Sequence, residues 1–339
     1  PPSDSCWLDA RMRVTALAGG IGGARFLLGL RAYLAESRDR GDCEITVIGN
    51  TGDDIWVHGL RVCPDLDTVM YTLGDGIDTE RGWGRKDETF HAKEELAAYG
   101  VEPTWFGLGD RDIGTHLVRT TSLNAGYPLS AITAALCERW QPGVRLLPMS
   151  DDRAETHVVV DDPDAPGHEV ALHFQEWWIK HRARIPARGF VMVGIEEAKP
   201  APGVLEAIEG ADVLVLPPSN PIVSIGSILS VPGIREAIQA SPAPVVGISP
   251  IISGAPVRGM ADACLRAEGI ETTAQAVAAH YGARSSGGLL DAWLVDTSDA
   301  DSVDAITATG ITCAAVPLFM TDVQASSEMA RLAIELVGT

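Results

Sequence analysis

Short apolar runs alternate along this chain with amphipathic stretches, and the alternation begins at once. Residues 12–18, MRVTALA, form an apolar run that stops at GGIGGAR. The following ARFLLGLRAYLAE, at 24–36, places Phe26, Leu27, Leu30 and Leu34 on one stripe of a helix. The next apolar run, EITVIG at 44–49, reads as a second parallel strand and leads directly into NTGDD. Strand, glycine loop, helix and strand make a βαβ opening. In an open parallel sheet both loops lie at the carboxyl ends of strands, where ligands collect.

The middle of the chain is less regular. A charged helix is expected over 86–99 (KDETFHAKEELAAY) and another over 128–140 (PLSAITAALCERW). Ser130 either caps the second or lies in its first turn. THVVVDD and HEVALHFQEWWIKH read as strands joined by the acidic turn DDPDAPGH. Strand-then-helix alternation returns with ADVLVLPPSNP at 211–221, an interrupted helix over 224–240, and APVVGISPII at 243–252. Helices near 258–269, at 272–281 and at 325–337 enclose two late strands, LLDAWLVD and CAAVPLFM. The expected fold is α/β: a Rossmann-like, mostly parallel sheet with helices on both faces and an inserted, largely helical cap. The core is assigned to 12–70 and 186–339, the cap completing the substrate cleft to 71–185, and a loose leader to 1–11.

Composition narrows the function classes. In 339 residues, 46 Asp and Glu against 26 Lys and Arg leave a net charge of −20, which disfavours binding to nucleic acid or an anionic membrane. No apolar run approaches the roughly 18 residues of a membrane span. Six cysteines, at 6, 43, 63, 137, 264 and 313, form no CxxC and no regular framework, which suits reduced thiols in a cytoplasmic protein.

Three loops are candidates for chemistry. GGIGGAR has neither the G-x-G-x-x-G spacing of a dinucleotide fingerprint nor the G-K-[ST] of a Walker loop. Gly20, Gly22 and Gly23 would let backbone amides approach an anionic ligand that Arg25 complements; the alternative is a tight strand-to-helix turn. In NTGDD, Asn50, Thr51, Asp53 and Asp54 are either turn chemistry or a cation site, since Mg²⁺ needs only one or two carboxylates beside substrate phosphates. Asp65 and Asp67 of CPDLDT would bring further carboxylates. GLGDRDIGTH adds Asp110, Arg111, Asp112 and His116, a density that suits either further site groups or a loop tied by internal ion pairs. His157, His173 and His181 read as structural histidines rather than a zinc set. PPSNP, with Ser219 and Asn220, is either a rigid crossover turn or a phosphate and base contact. Trp83, Trp105, Trp177 and Trp178 divide between the core and a stacking surface.

In this order, LAGGIGGARFLLGL, NTGDDIWVHGLRVCPDLDTVMYTLG, RGWGRKDETFHA, WFGLGDRDIGTHLVRT and LPPSNPIVSIGSIL closely resemble the coenzyme F420 biosynthesis family of 2-phospho-L-lactate and phosphoenolpyruvate transferases. The likeness runs from about residue 12 to the carboxyl end, and DTVMYTLGDGIDTERGWGRKDETFHA resembles the actinobacterial branch. It implies transfer of a phosphoenolpyruvyl or 2-phospholactyl group from its guanosine diphosphate adduct to the terminal hydroxyl of the deazaflavin Fo, with GMP leaving. It also implies a Mg²⁺ requirement and a homodimer. Carried onto this sequence, it assigns catalysis and metal binding to Asp53, Asp54 and Asp65. Substrate contacts fall on Gly20, Gly22, Gly23, Arg25, Asn50 and Thr51, on His58 and Trp83 for the deazaflavin, and on Ser219 and Asn220 for the guanosine nucleotide. The competing reading is a non-enzymatic nucleotide-sugar-binding regulator, which shares the glycine loop and an NTxDD-like turn.

Overall fold

The structure is a computed structural model that describes residues 12–36, 43–162, 165 and 167–338. The expected leader 1–11, with Cys6, lies outside the described residues. Seven strands form one sheet: β1 (Arg13–Ala18), β2 (Glu44–Gly49), β5 (Arg145–Pro148), β9 (Val213–Leu216), β10 (Val245–Ile248), β13 (Ala292–Asp296) and β14 (Thr312–Val316). Two short hairpins, β3 (Ile55–Val57) with β4 (Leu60–Val62) and β11 (Ile251–Ile252) with β12 (Ala255–Pro256), stand at its ligand end. A separate antiparallel sheet pairs β6 (Glu155–Asp161) with β7 (Glu169–His173) and β8 (Ala187–Val193).

The main sheet runs β14-β13-β10-β9-β1-β2-β5, and every neighbour pair is parallel. Counted along the chain, the order is 3-2-1-4-5-6-7, so the winding reverses between β1 and β9. Alternation along each strand divides its residues between two buried faces. Leu17, Ile48, Leu214 and Leu216 pack into one apolar core, while Ala16, Ala18, Val47, Val213 and Val215 pack into the other. Strands buried on both sides read as continuous apolar runs, which is why they were visible in the sequence.

Helices cover both faces. α1 (Gly20–Glu36) and α2 (Pro64–Leu73) belong with the core on one side. α3 (His91–Ala98), α4 (Asp110–Asn124) and α5 (Leu129–Trp140) follow before β5. α6 (Val204–Glu209), α7 (Ile225–Ser230) and α8 (Ile234–Ala240) pack on the other face. α9 (Ala261–Ala267), α10 (Ala274–Tyr281), α11 (Val303–Thr307) and α12 (Val323–Leu336) complete the chain, and α12 lies along α1. The break between α7 and α8 falls at Val231-Pro232-Gly233, where proline and a left-handed glycine (φ 95°) interrupt the ladder. No helix among the described residues is long and apolar enough to cross a membrane.

Four expectations need correction. The span 71–185 carries α3, α4 and α5 but is not only a helical insertion: it also contributes β5 to the main sheet and β6 and β7 to the antiparallel sheet, whose third strand lies beyond residue 186. GLGDRDIGTH is not a loop, because Asp110 opens the 15-residue α4. Its buried positions are Thr115, His116, Arg119 and Thr120, so the helix carries no apolar stripe to read. The helix expected over 86–99 begins only at His91, since Asp87 has φ 54°. Here α3 and α4 cap each other. Asp110 accepts the backbone N–H groups of His91 and Ala92, and Glu88 accepts those of Arg111 and Asp112. Finally, the second strand of the acidic hairpin stops at His173, and Glu176–Lys180 form a π-helical turn.

Candidate active site

At the reversal of winding, the loops after β1 and β9 face each other across the carboxyl edge of the sheet. Open α/β sheets bind ligands at such a point. A cleft of about 750 Å³ opens there. Its floor is made by Gly19, Gly20 and Gly22, by Asp53 after β2, by Pro218 to Asn220 after β9, and by Ser249 and Pro250 after β10. Asp65 and Asp67, in the first turn of α2, form one wall. Pro64 at the helix start and carboxylates beside its unpaired amides explain why the helix begins there.

The glycines serve close approach. A Cβ on Gly22 would stand 2.3 Å from the Pro218 carbonyl oxygen, and one on Gly23 would stand 2.6 Å from Ser219 Oγ. Ser219 Oγ donates to the Gly19 carbonyl at 2.8 Å and accepts the Gly19 N–H at 3.3 Å. Ser219 therefore staples the two loops, and Gly23 packs against the staple. Asn220 is similarly committed: its Oδ1 accepts the N–H groups of Ile222 (3.0 Å) and Val223 (3.2 Å), while its Nδ2 lies 3.4 Å from Cys264 Sγ. Its side chain still lines the cleft.

The NTGDD segment forms the expected turn. Asn50 Oδ1 accepts the Gly52 N–H at 2.8 Å, an Asx turn, while its Nδ2 donates to Asp65 Oδ2 at 2.9 Å and to the Val223 carbonyl at 3.2 Å. Asn50 thus ties the loops after β2 and β9 to α2 without lining the cleft. Thr51 is also buried away from it. Asp53 and Asp65 line the cleft, but Asp54 does not: its Oδ2 takes Arg61 Nη2 at 3.1 Å. His173 Nδ1 accepts the Gln175 N–H (3.1 Å), which leaves Nε2–H to donate to the Asp54 carbonyl (3.2 Å). His157 stacks edge-on against that ring at 5.4 Å, so both histidines brace the acidic turn.

Burial first, then the Asp65 carboxylate, push Asp53 well above the ordinary carboxylate range, with Asn50 opposing. Burial raises Asp65 to about 6 against its Asn50 hydrogen bond, and raises Asp54 to about 6 against the pull of Arg61. Asp53 Oδ1 and Asp54 Oδ1 are buried without hydrogen-bond partners. Among the described residues no cluster of three or more His, Cys, Asp or Glu forms a self-sufficient metal site. Two carboxylates with an unsatisfied oxygen fit a hard cation that takes its remaining ligands from substrate and water.

The other walls divide by chemistry. Arg25, Arg81, Lys93 and Arg258 bring positive charge. Trp83, Trp105, Phe106, Phe174, Trp178 and Met260 bring apolar surface. Trp83 is 45% exposed at the rim, with the Arg81 guanidinium 5.3 Å from its ring. Trp177 belongs to the core. His58 does not line the cleft; it occupies the β3–β4 turn in a left-handed conformation (φ 51°). Sequence reading did not single out Arg61 or Arg119. Arg119 is 1% exposed and grips both oxygens of Asp67, with Nη1 3.2 Å from His116 Nδ1. An arginine embedded in a polar helix gives no periodic signal.

Residues 14–318 match the family described as 2-phospho-L-lactate transferase CofD. The chain belongs to that family. It is 66% identical over 325 residues to the phosphoenolpyruvate transferase of Streptomyces griseus, covering 96% of this chain and 98% of the relative. It is 63% identical to that of Thermobifida fusca (96% and 98%) and 59% identical to that of Nocardia farcinica (96% and 95%). Among solved structures, a UPF0052-family protein from Bacillus halodurans superposes with a TM-score of 0.61 at 20% identity, covering 96% of this chain and 99% of its own. That likeness concerns the fold alone.

Proposed function

We propose that this chain transfers a phosphoenolpyruvyl group from its guanosine diphosphate adduct to the terminal hydroxyl of Fo, releasing GMP and giving dehydro-F420-0 in coenzyme F420 biosynthesis. Family membership makes it a transferase of this class, and the relatives named above, all phosphoenolpyruvate transferases, favour the phosphoenolpyruvyl over the 2-phospholactyl donor. The observation that carries the reading is the cleft at the β1–β9 reversal. It joins a buried carboxylate pair, an amide-rich helix start and an aromatic wall within one space large enough for two substrates.

In this reading Asp53 and Asp65 hold Mg²⁺, while Asp54, paired to Arg61, positions the turn that presents Asp53. Bound Mg²⁺ supplies charge neutralisation at the diphosphate oxygens. The amides at the start of α1 face the same phosphates, assisted by the positive end of the helix dipole. Asn220 and the rigid prolines beside it form the guanosine side. Trp83 and its aromatic neighbours exclude water and hold the flat deazaflavin, so that the ribityl hydroxyl meets the phosphorus bearing the three-carbon acid. We also expect a homodimer.

Incubating the protein with Fo, Mg²⁺ and each guanosine adduct in turn, with products identified by mass, tests the assignment. Dehydro-F420-0 and GMP are expected. Formation of F420-0 alone would overturn the donor, and no product from folded protein would overturn the transfer.

A further inference from the structure

Two arginines line the cleft close enough for their charges to interact, and among the described residues neither has a carboxylate partner. Arg25 lies one helical turn beyond Ile21 on α1 and lines the cleft. Arg258 enters from the loop between β12 and α9. A Cβ on Gly82 would stand 2.8 Å from Arg258 Nη1 and 3.1 Å from Ile21 Cδ1, so that guanidinium reaches across to the start of α1. Burial, and then the charge of Arg258, lower the proton affinity of Arg25. Among the described residues neither arginine makes a hydrogen bond or an ion pair. The other cleft cations differ. Arg81 is neutralised by Asp78 at 2.8 Å, and Lys93 is a lone ammonium beside Gly107 and Trp83 at the aromatic end. Like charges held together in a chain of net charge −20 are an arrangement that an anion stabilises.

We propose that Arg25 and Arg258 clamp the carboxylate of the donor's three-carbon acid, and so select donors that carry one. The inference rests on the transferase reading above. It follows from position: the start of α1 faces the diphosphate, and Arg25 sits one turn, about 5.4 Å, further along. In an enolpyruvyl phosphate the carboxylate is attached to the carbon bearing the phosphoester oxygen, so it falls within that reach. The planar guanidinium fork matches a carboxylate in a way that a lysine cannot. Arg258 closes the clamp from the opposite loop, a position that sequence reading did not mark.

Calorimetric titration with two ligands, phosphoenolpyruvyl-diphosphoguanosine and GDP, separates the outcomes. In Arg258→Ala, affinity for the adduct is expected to fall about tenfold or more, while affinity for GDP changes less than about twofold. Arg258→Lys should recover only part of the loss. Equal losses for both ligands would place the arginines on the diphosphate and overturn the proposal. Unchanged affinity for the adduct would do the same. Arg258 is exposed and makes no bond within the chain, so loss of folding does not obscure the result. If the wild-type protein binds neither ligand, the transferase reading falls, and the clamp with it. If wild type binds both and the variant is unaffected, only the clamp falls.

Discussion

Replacing Asp65 by asparagine separates the cation site from the fold. The side chain keeps its shape, and its Oδ1 can still accept the Asn50 N–H that now reaches Asp65 Oδ2 at 2.9 Å. What disappears is a charge. In the folded chain Asp65 holds its proton more tightly, at about 6 against an ordinary 3.8. Its contribution is therefore most favourable below about pH 4, declines between about pH 4 and 6, and stays lower above pH 6 by about 3 kcal/mol. Asp53, raised by burial and by Asp65, shifts stability in the same direction. Without Mg²⁺, Asp65→Asn should therefore be more stable than wild type at pH 7.5. At about 2.1 cal/mol/K per residue, 3 kcal/mol amounts to a rise of roughly 4 °C in Tm. At pH 4 the difference should vanish. With Mg²⁺ the order reverses: wild type gains stability at pH 7.5, the variant gains little, and transfer to Fo is lost. Scanning calorimetry at both pH values, with and without Mg²⁺, measures each part. A variant that keeps the wild-type Mg²⁺ shift and the wild-type pH dependence would refute the assignment of Asp65 to the cation.

Three further substitutions probe the surroundings. Arg119→Met removes the partner of the buried Asp67 carboxylate, and about 3–5 kcal/mol of stability should be lost; equal denaturation midpoints for variant and wild type would contradict this. Gly22→Ala sets a methyl group against the Pro218 carbonyl, 2.3 Å from the ideal Cβ, so about 1–3 kcal/mol of destabilisation and a raised KM for the donor are expected. Wild-type values of both would mean that the two loops do not meet so closely. Trp83→Ala, at a rim position 45% exposed, should leave stability within about 0.5 kcal/mol of wild type but weaken Fo binding, measurable by fluorescence titration. Unaltered Fo affinity would remove the ring from the deazaflavin wall.

What the sequence disclosed, and what it hid, follows from how each segment is buried. β1, β2, β9, β10 and β13 lie between two layers of helices, so their residues are apolar on both faces and stand out as runs. β5 escaped because RLLP is short and follows a long, polar insertion. α4 escaped because its inward face is polar: Arg119 and His116 are buried by pairing with Asp67 and Asp112, not by apolar contact. In the site, Asp53 and Asp65 were legible as acids in glycine- and proline-bounded loops. The division of labour between Asp53 and Asp54 was not. Adjacent residues in a turn point in different directions, and only the placement of Arg61 shows which one is engaged away from the cleft. His58 misled for a related reason, since a polar residue near the acidic turn in sequence sits at the far end of a hairpin in space.

The sheet itself cannot decide the activity. A Bacillus halodurans chain shares the fold at 20% identity, and a regulator or a transferase would be served equally well by a parallel sheet with loops at its carboxyl edge. The decision lies in what the loops carry. Here the cleft presents Asp53 on its floor and Asp65 on a wall, and it also presents Arg25, on α1, and Arg258, both without an ion-pair partner among the described residues. Carboxylates alone would repel an anionic donor, and arginines alone would bind it without a place for a cation. Together they favour a ligand that carries a cation-binding diphosphate at one end of a short group and a second anionic centre at the other. A guanosine diphosphate adduct of a three-carbon acid has that charge pattern, and a nucleotide that carries an uncharged sugar lacks the second centre. Separate losses of Mg²⁺ response in Asp65→Asn and of carboxylate selectivity in Arg258→Ala would therefore favour the transferase over the regulator on physical grounds, independent of family resemblance.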